Sequence, residues 1–111
     1  MYEQREVVLI PFPYSDLTGF KQRPALVLSN KKLNRSRDRL CCLITSNAPI
    51  DGLEIKKGSL EFGVLPFQSW VKSYRLFAVH EKIIRKSLCK VTIAFHEQVL
   101  KSLMSYLDAE A

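Results

Sequence analysis

The alternation of short apolar segments with polar turns limits the fold of this chain more than any other feature. We predict strands where apolar and β-branched residues cluster, at residues 6–12, 25–29, 39–45, 53–55, 59–62, 70–72 and 76–84. Turn residues separate these segments, among them Gly19, Asn47, Pro49 and the pair Asp51-Gly52. The polar segment 30–38 is predicted as a loop that has room for one helical turn.

One amphipathic segment near the end is predicted as a helix over residues 93–107, with Thr92 as its N-cap. One face of this helix suits docking on a sheet or on another subunit, through Ile93, His96, Val99, Leu100, Leu103, Met104 and Leu107. Short strands followed by one helix indicate a mainly β protein of the α+β class, a small antiparallel barrel with a C-terminal helix. The same pattern also fits other small β-rich domains.

The length of 111 residues predicts a single domain over residues 1–111, small enough for a dimer to be a natural expectation. No apolar run reaches the roughly 18 residues of a membrane-spanning helix. Residues 1–6 lack the basic and long apolar regions of a signal peptide. We therefore expect a cytoplasmic protein with no membrane partner.

The three cysteines, Cys41, Cys42 and Cys89, form no C-x-x-C pair and no recognisable framework. Cys41 and Cys42 are adjacent in a predicted strand, so they point to opposite faces. Buried free thiols are the expected state. A metal site built with His80 or His96 is not expected, since paired ligand spacing is absent, and no cofactor is expected either.

The positive charge is concentrated in one part of the chain. The net charge is +6, and residues 21–39 carry seven lysines and arginines against Asp38 alone. Such a segment favours a phosphate-rich partner. A solvated loop that only aids solubility is the alternative, and for residues 31–39 taken alone both interpretations stay open.

The Arg23-Pro24 pair places a cation where a loop meets a predicted strand. Pro24 fixes its own φ and biases Arg23 toward an extended conformation, so the side chain is presented stiffly. A cation held in this way is suited to a phosphate contact. The alternative is an ordinary surface arginine that pairs with Asp16 or Glu81.

The run Lys21-Gln22-Arg23-Pro24-Ala25-Leu26-Val27-Leu28-Ser29 follows a strand with a proline–aromatic end and a glycine-containing loop. In this it resembles the MazF/PemK family, the toxins of type II toxin–antitoxin pairs. The resemblance continues through Ile44-Thr45-Ser46, Ser69-Trp70-Val71-Lys72 and the C-terminal helix. It implies an SH3-like barrel and a metal-independent endoribonuclease that cleaves single-stranded mRNA at selected sequences. The products implied are a 2′,3′-cyclic phosphate and a 5′-hydroxyl.

By this resemblance, Arg23 and Thr45 occupy the catalytic positions. Arg23 would clamp the scissile phosphate and take part in acid–base chemistry, although the high pKa of arginine favours an electrostatic role. Thr45 would contact the same phosphate, with Ser46 as an alternate hydroxyl. The resemblance implies RNA contacts by Thr18 and Ser46, and we predict Lys21, Trp70, Lys72 and Arg75 as further RNA-binding residues.

Aromatic side chains near these positions admit two interpretations. Trp70, Tyr74 and Phe67 suit stacking on unpaired bases. Packing in the core or in a dimer interface is the alternative, and we favour it for Trp70. His80 suits a general base, but a hydrogen-bonded strand residue is the more common role for such a histidine.

The chain departs from the family pattern at three places. Leu43-Ile44 precede Thr45 where many members have a proline nearby, and Arg5-Glu6 open the first strand where many have Gly-Asp. Residues 17–20 read Leu-Thr-Gly-Phe in place of Gly-Ser-Glu-Gln. This loop helps read bases, so its change bears on Thr18 and on the cut sequence.

The resemblance also implies partners. These are single-stranded RNA, a second copy of the chain, and an antitoxin whose acidic, partly disordered tail crosses the RNA channel. Operator DNA would be bound through the antitoxin complex. A different class stays open, a non-catalytic barrel that binds nucleic acid or protein. A gyrase-poisoning relative is a weaker alternative, because that group is not marked by the Arg-Pro block with a downstream threonine.

Overall fold

The structure is a computed structural model that describes residues 2–13 and 19–110. Its helices are α1 (Lys31–Asn34) and α2 (Ile93–Ser105), and short 3-10 turns cover Lys57–Ser59 and Glu81–Ile83. Its strands are β1 (Glu6–Pro13), β2 (Phe20–Val27), β3 (Asp38–Thr45), β4 (Leu53–Ile55), β5 (Leu60–Gly63), β6 (Ser69–His80) and β7 (Lys86–Val91). Within the described ranges, neither helix has the length and apolarity needed to cross a bilayer.

The strands form one antiparallel sheet in the order β4-β6-β3-β2-β1-β7-β5, which curls into a nearly closed barrel. Helix α2 packs against the inner face and contributes Phe95, Val99 and Leu103 to the main core. A second apolar cluster lies on the opposite face of β1, β2 and β3. The predicted mainly β barrel with a C-terminal helix is confirmed.

Two apolar clusters explain why Cys41 and Cys42 are both fully buried although they are neighbours. Alternation along β3 sends Cys42 into the main core and Cys41 into the second cluster. All three cysteines are free and buried, as predicted. Burial raises the pKa of the Cys89 thiol to about 11, so it stays protonated at neutral pH.

Two predicted strand boundaries are wrong. Strand β2 begins at Phe20 rather than Ala25, because Gln22 and Arg23 continue the ladder to β1, with Arg23 opposite Ile10. The predicted strands 70–72 and 76–84 are one strand, β6, whose register against β3 shifts between Cys42 and Leu43.

The shift in β6 has a packing role. The register places Ser73 to Arg75 in a bulge, and the buried Ser73 hydroxyl hydrogen-bonds Ser102 of α2 at 2.9 Å. Residues 81–83 form a 3-10 turn rather than the end of a strand, and the sequence analysis missed β7. Three of the six residues of β7 are polar (Lys86, Ser87 and Lys90), so β7 lacks the continuous apolar run that marks the other strands.

Helix α2 confirms the predicted N-cap, since Thr92 Oγ1 accepts the N–H of Phe95 at 3.1 Å. The helix ends at Ser105, and its buried face is narrower than predicted. Phe95, which the predicted apolar face omitted, is buried. Four residues assigned to that face are exposed, namely Ile93, Leu100, Met104 and Leu107.

Arg5 stands where many members of the resembling family have the glycine of a Gly-Asp pair. Its φ is 78°, in the left-handed region where glycine has no steric cost. Its guanidinium donates to Val91 O and pairs with Glu61, both at 3.0 Å. These contacts offset part of the backbone cost at the entrance to β1.

Buried His96 makes the stability of the fold depend on pH. It is 5% exposed, and neither ring nitrogen has a hydrogen-bond partner among the described residues. Burial lowers the pKa of this imidazole, and the charge of Arg5 lowers it further while Glu97 opposes the change. Below about pH 6.5 the unfolded chain therefore binds more protons than the folded protein does. The stability of the fold then decreases as the pH is lowered.

We therefore expect the melting temperature to drop between about pH 7.5 and 5.5, and to drop less in His96→Leu. The leucine variant removes the titrating group and the two unpaired nitrogens. Differential scanning fluorimetry across this range measures both slopes. Parallel slopes for the variant and the parent would show that His96 is not the source.

Candidate functional site

Strands β2 and β3 bring Arg23 and Thr45 together. Their antiparallel ladder runs from the pair Val27–Cys41 to the pair Ala25–Leu43. Arg23 and Thr45 each lie two residues beyond the last pair, so the same register carries them opposite each other. Both line one pocket of about 240 Å³, and the structure thus joins two residues that are 22 positions apart in sequence.

The pocket is lined by both polar and apolar side chains. Its polar lining is Lys21, Gln22, Arg23, Thr45, Ser46 and Ser69. Its apolar lining is Leu9, Pro24, Ile44, Leu65, Pro66, Phe67 and Leu88. Lys21 and Arg23 supply positive charge, and the described lining contains no carboxylate or imidazole. The pocket therefore suits an anionic group attached to a less polar body.

The hydroxyls of this pocket differ in what they can donate. Thr45 is buried, and its Oγ1 accepts the N–H of Asn47 at 3.1 Å, which leaves the hydroxyl proton available to a ligand. Ser46 is exposed. Ser69 is buried and its Oγ donates to Phe67 O at 2.8 Å, so it fixes the loop before β6. Sequence reasoning missed Ser69 and Gln22, because neither type of residue marks a site by itself.

The alternative pairing of Arg23 with Glu81 is wrong. Glu81 bonds Arg37 and Arg39, both at 3.2 Å. Asp16, the other suggested partner, lies outside the described residues, as does Thr18. Arg23 itself is half-buried where β2 meets the pocket.

The remaining predicted residues lie along β6 at different distances from the pocket. Trp70 pairs with Thr45 and Lys72 pairs with Leu43, so both lie on the Thr45 face of the sheet, next to the pocket but outside its lining. Arg75 lies in the β6 bulge and is exposed. The structure does not bring it to the pocket.

The structure also locates two of the predicted aromatic residues and His80 relative to the pocket. Phe67 lines the pocket and is 72% exposed, whereas Tyr74 packs edge-to-face on Tyr106 at 5.5 Å, away from it. His80 lies at the opposite end of β6, where its Nδ1 accepts the N–H of Lys82. It serves there as a cap and is not among the groups around the pocket.

The fold and this pocket define a small β-barrel protein with a cationic, hydroxyl-bearing pocket whose lining suits an anionic group. The chain belongs to the PemK-like, MazF-like toxin family of type II toxin–antitoxin systems, whose family model matches residues 3–107. No curated protein matches it in sequence.

Solved structures of similar fold cover nearly the whole chain. An endoribonuclease in complex with its cognate antitoxin, from a mycobacterial species, is 16% identical with a TM-score of 0.72, over 100% of this chain and 99% of its own. A MazE-MazF structure from Deinococcus radiodurans is 22% identical with a TM-score of 0.72, over 96% and 95%. The Mycobacterium tuberculosis toxin MazF-mt6 is 13% identical with a TM-score of 0.72, over 96% and 100%. At these identities the likeness establishes the fold.

Proposed function

We propose that this chain cleaves single-stranded mRNA at selected sequences without a metal ion, leaving a 2′,3′-cyclic phosphate and a 5′-hydroxyl. The coarser assignment, a toxin endoribonuclease, follows from family membership over residues 3–107 and from the endoribonucleases that share its fold. The observation that carries the finer proposal is the single pocket that contains both Arg23 and Thr45.

In the proposed reaction the 2′-oxygen attacks the adjacent phosphorus and the bond to the 5′-oxygen breaks. Arg23 donates paired N–H bonds to the phosphate oxygens and stabilises the charge that develops on them. The Thr45 hydroxyl donates to the same group and orients it. In this proposal the 2′-hydroxyl proton is transferred to water, and water returns a proton to the 5′-oxygen.

Base selection is assigned to the surface around the phosphate. The exposed ring of Phe67 offers a face for stacking at the pocket, and Trp70 adjoins Thr45. Lys21 lines the pocket, and Lys72 lies next to it in β6, so the two extend the positive charge along the path of a strand. The segment 14–18, which includes Thr18, enters this assignment from the family resemblance alone.

We further propose that the chain works as a homodimer in the cytoplasm and is neutralised by an antitoxin with an acidic tail. Similar structures include an endoribonuclease with its cognate antitoxin and a MazE-MazF structure. The dimer is supported by exposed apolar residues in β6 and in the last turn of α2 and just after it, namely Tyr74, Leu76, Met104, Tyr106 and Leu107. Operator DNA is proposed as a ligand of the antitoxin complex.

The test is a cleavage assay with end mapping. Purified protein is incubated with a long single-stranded RNA in excess chelator, and 5′-hydroxyl ends are mapped, with Arg23→Ala as control. Cuts at a short recurrent motif that the variant fails to make support the proposal. Binding of the RNA without cuts would refute it.

One observation favours a second candidate, a non-catalytic module that binds nucleic acid. The described pocket lining offers no group with an ordinary pKa near neutrality for proton transfer. This candidate predicts that the wild-type protein retards RNA on a gel and leaves it intact. The same assay therefore separates the two candidates.

Two substitutions at Thr45 should distinguish the contribution of its hydroxyl to cleavage from the contribution of its side-chain volume. We expect Thr45→Val to lower cleavage about 10- to 100-fold, because valine keeps the volume but cannot donate to the phosphate. Thr45→Ser keeps the hydroxyl and should retain most of the rate. Single-turnover rates on one oligonucleotide measure both. Equal rates for the valine and serine variants would remove Thr45 from the reaction.

A further inference from the structure

A second and larger pocket lies at the other end of β2 from the pocket of Arg23 and Thr45. It has a volume of about 790 Å³ and is formed by residues 2–5, the α1 region, Arg39 and Lys90. None of its lining residues lines the first pocket. We call it the N-terminal basic pocket.

The charge of this pocket is strongly one-sided. Its lining carries the single carboxylate Glu3 and six cations, namely Arg5, Lys31, Lys32, Arg35, Arg39 and Lys90. Such an excess in a concave surface concentrates positive potential and attracts polyanions.

Two of the six cations are already committed to the fold. Arg39 is 4% exposed and donates to Tyr2 O at 2.7 Å, to Asn34 O at 3.1 Å and to Glu81 at 3.2 Å. Arg5 is bound to Glu61. These contacts make a rigid base for the pocket.

Among the residues that the structure describes, the other four cations have no such partners. Lys31, Lys32 and Arg35 are exposed, Lys90 is half-buried, and none of them forms an ion pair with another described residue. They are therefore available to a ligand at the mouth of the pocket.

The chemistry of the lining discriminates between two kinds of polyanion, an acidic peptide and a nucleic acid. A peptide that folds on binding usually needs apolar anchors in the groove, and the described lining contains no aliphatic or sulfur-containing side chain. A nucleic acid backbone needs cations and tolerates a polar groove. The lining thus favours phosphates over carboxylates.

We propose that the N-terminal basic pocket binds the phosphate backbone of single-stranded RNA that extends beyond the cleavage pocket. The inference rests on the proposed function for its substrate, but it concerns a separate surface. Arg23 and Lys31 are eight positions apart, which limits their separation to about 30 Å even if the chain were fully extended. One RNA strand of ordinary length therefore reaches both pockets, and long substrates bind more tightly than short ones.

The test compares RNA length in two matched triple variants. The pocket variant is Lys31→Gln/Lys32→Gln/Arg35→Gln, and the control is Lys57→Gln/Lys82→Gln/Arg85→Gln, which removes the same charge from exposed positions outside the pocket. Affinity is measured by fluorescence anisotropy with 2′-O-methyl RNA, which lacks the attacking hydroxyl. Strands of about 30 and about four nucleotides are compared over a salt titration.

The pocket variant should bind the longer strand about tenfold more weakly and show a salt slope smaller by about two, since each phosphate contact on a single strand contributes about 0.7. The pocket variant should lose less affinity for the short strand than for the long one, and the control variant should keep the wild-type affinity. Equal losses in the two variants, or at the two lengths, would overturn the proposal. Tighter binding of a polyglutamate peptide than of RNA, lost in the pocket variant, would also overturn it.

Failure of this inference is distinguishable from failure of the proposed function. A protein that cuts unmodified RNA but shows equal losses in both variants keeps the function and loses the second binding site. A protein that leaves unmodified RNA intact but shows the length-dependent loss keeps the site and loses the nuclease activity.

Discussion

Arg23→Ala lowers the rate of RNA cleavage at least about a thousandfold, which is the largest effect that we expect from one substitution at the site. Arg23 and Lys21 are the two cations that line the pocket in the described part of the chain, and Arg23 lies in register with Thr45. Its removal leaves the developing phosphate charge without a paired donor.

A second substitution at Arg23 distinguishes the effect of its charge on the rate from the effect of its guanidinium geometry. Arg23→Lys keeps the charge but loses the planar fork, so we expect a rate between those of the parent and of the alanine variant. Because Arg23 is half-buried and makes no ion pair with another described residue, both variants should melt within about 3 °C of the parent. Single-turnover rates and melting curves measure these effects. A wild-type rate in Arg23→Ala would remove this residue from the reaction.

Glu81→Ala lowers the free energy of unfolding by about 3 kcal/mol, the largest stability effect that we expect. Arg39 is 4% exposed, and Glu81 supplies its counter-charge at 3.2 Å. Without that carboxylate, the hydrogen-bond acceptors left to the guanidinium among the described residues are the backbone carbonyls of Tyr2, Asn34 and Asp38. An unpaired buried cation costs much more than a broken surface pair.

The control for this effect is Glu61→Ala. Glu61 pairs with Arg5 at 3.0 Å, but 45% of its side chain is exposed. Solvent screens that pair, so its loss should cost less than about 1 kcal/mol. Urea unfolding curves measure both variants. Equal losses would show that burial of Arg39 does not strengthen its dependence on Glu81.

Local pattern predicted much of the fold. Strands β1, β3 and β4 lie within one residue of their predicted bounds, and Thr92 caps the last helix as expected. The pattern failed where tertiary contacts override local signals. Residues 69–80 form one strand because the bulge docks Ser73 on Ser102, and β7 is held between β1 and β5 although its sequence is only weakly apolar.

The pocket of Arg23 and Thr45, like the fold, could be predicted from the sequence only in part. The Arg-Pro block and Thr45 could be found from the sequence, because they belong to a motif with a family resemblance. Ser69, Gln22 and the apolar lining of the pocket could not be found, since serine, glutamine and leucine do not indicate a site by themselves. The N-terminal basic pocket could be predicted only in part. The sequence shows that residues 31–39 are cationic, but Arg5 and Lys90, which also line the pocket, are distant from them in sequence.

The sequence by itself determined the class of fold, the buried state of the cysteines and the extended backbone at Arg23, because these follow from local periodicity, side-chain hydrophobicity and the restriction that Pro24 places on the residue before it. Only the tertiary structure decided which residues share a pocket. Strand register places Arg23 opposite Thr45 and Trp70 beside them, and it assigns Glu81 to Arg39. Register depends on pairing between distant segments, and no local pattern in the chain contains that information.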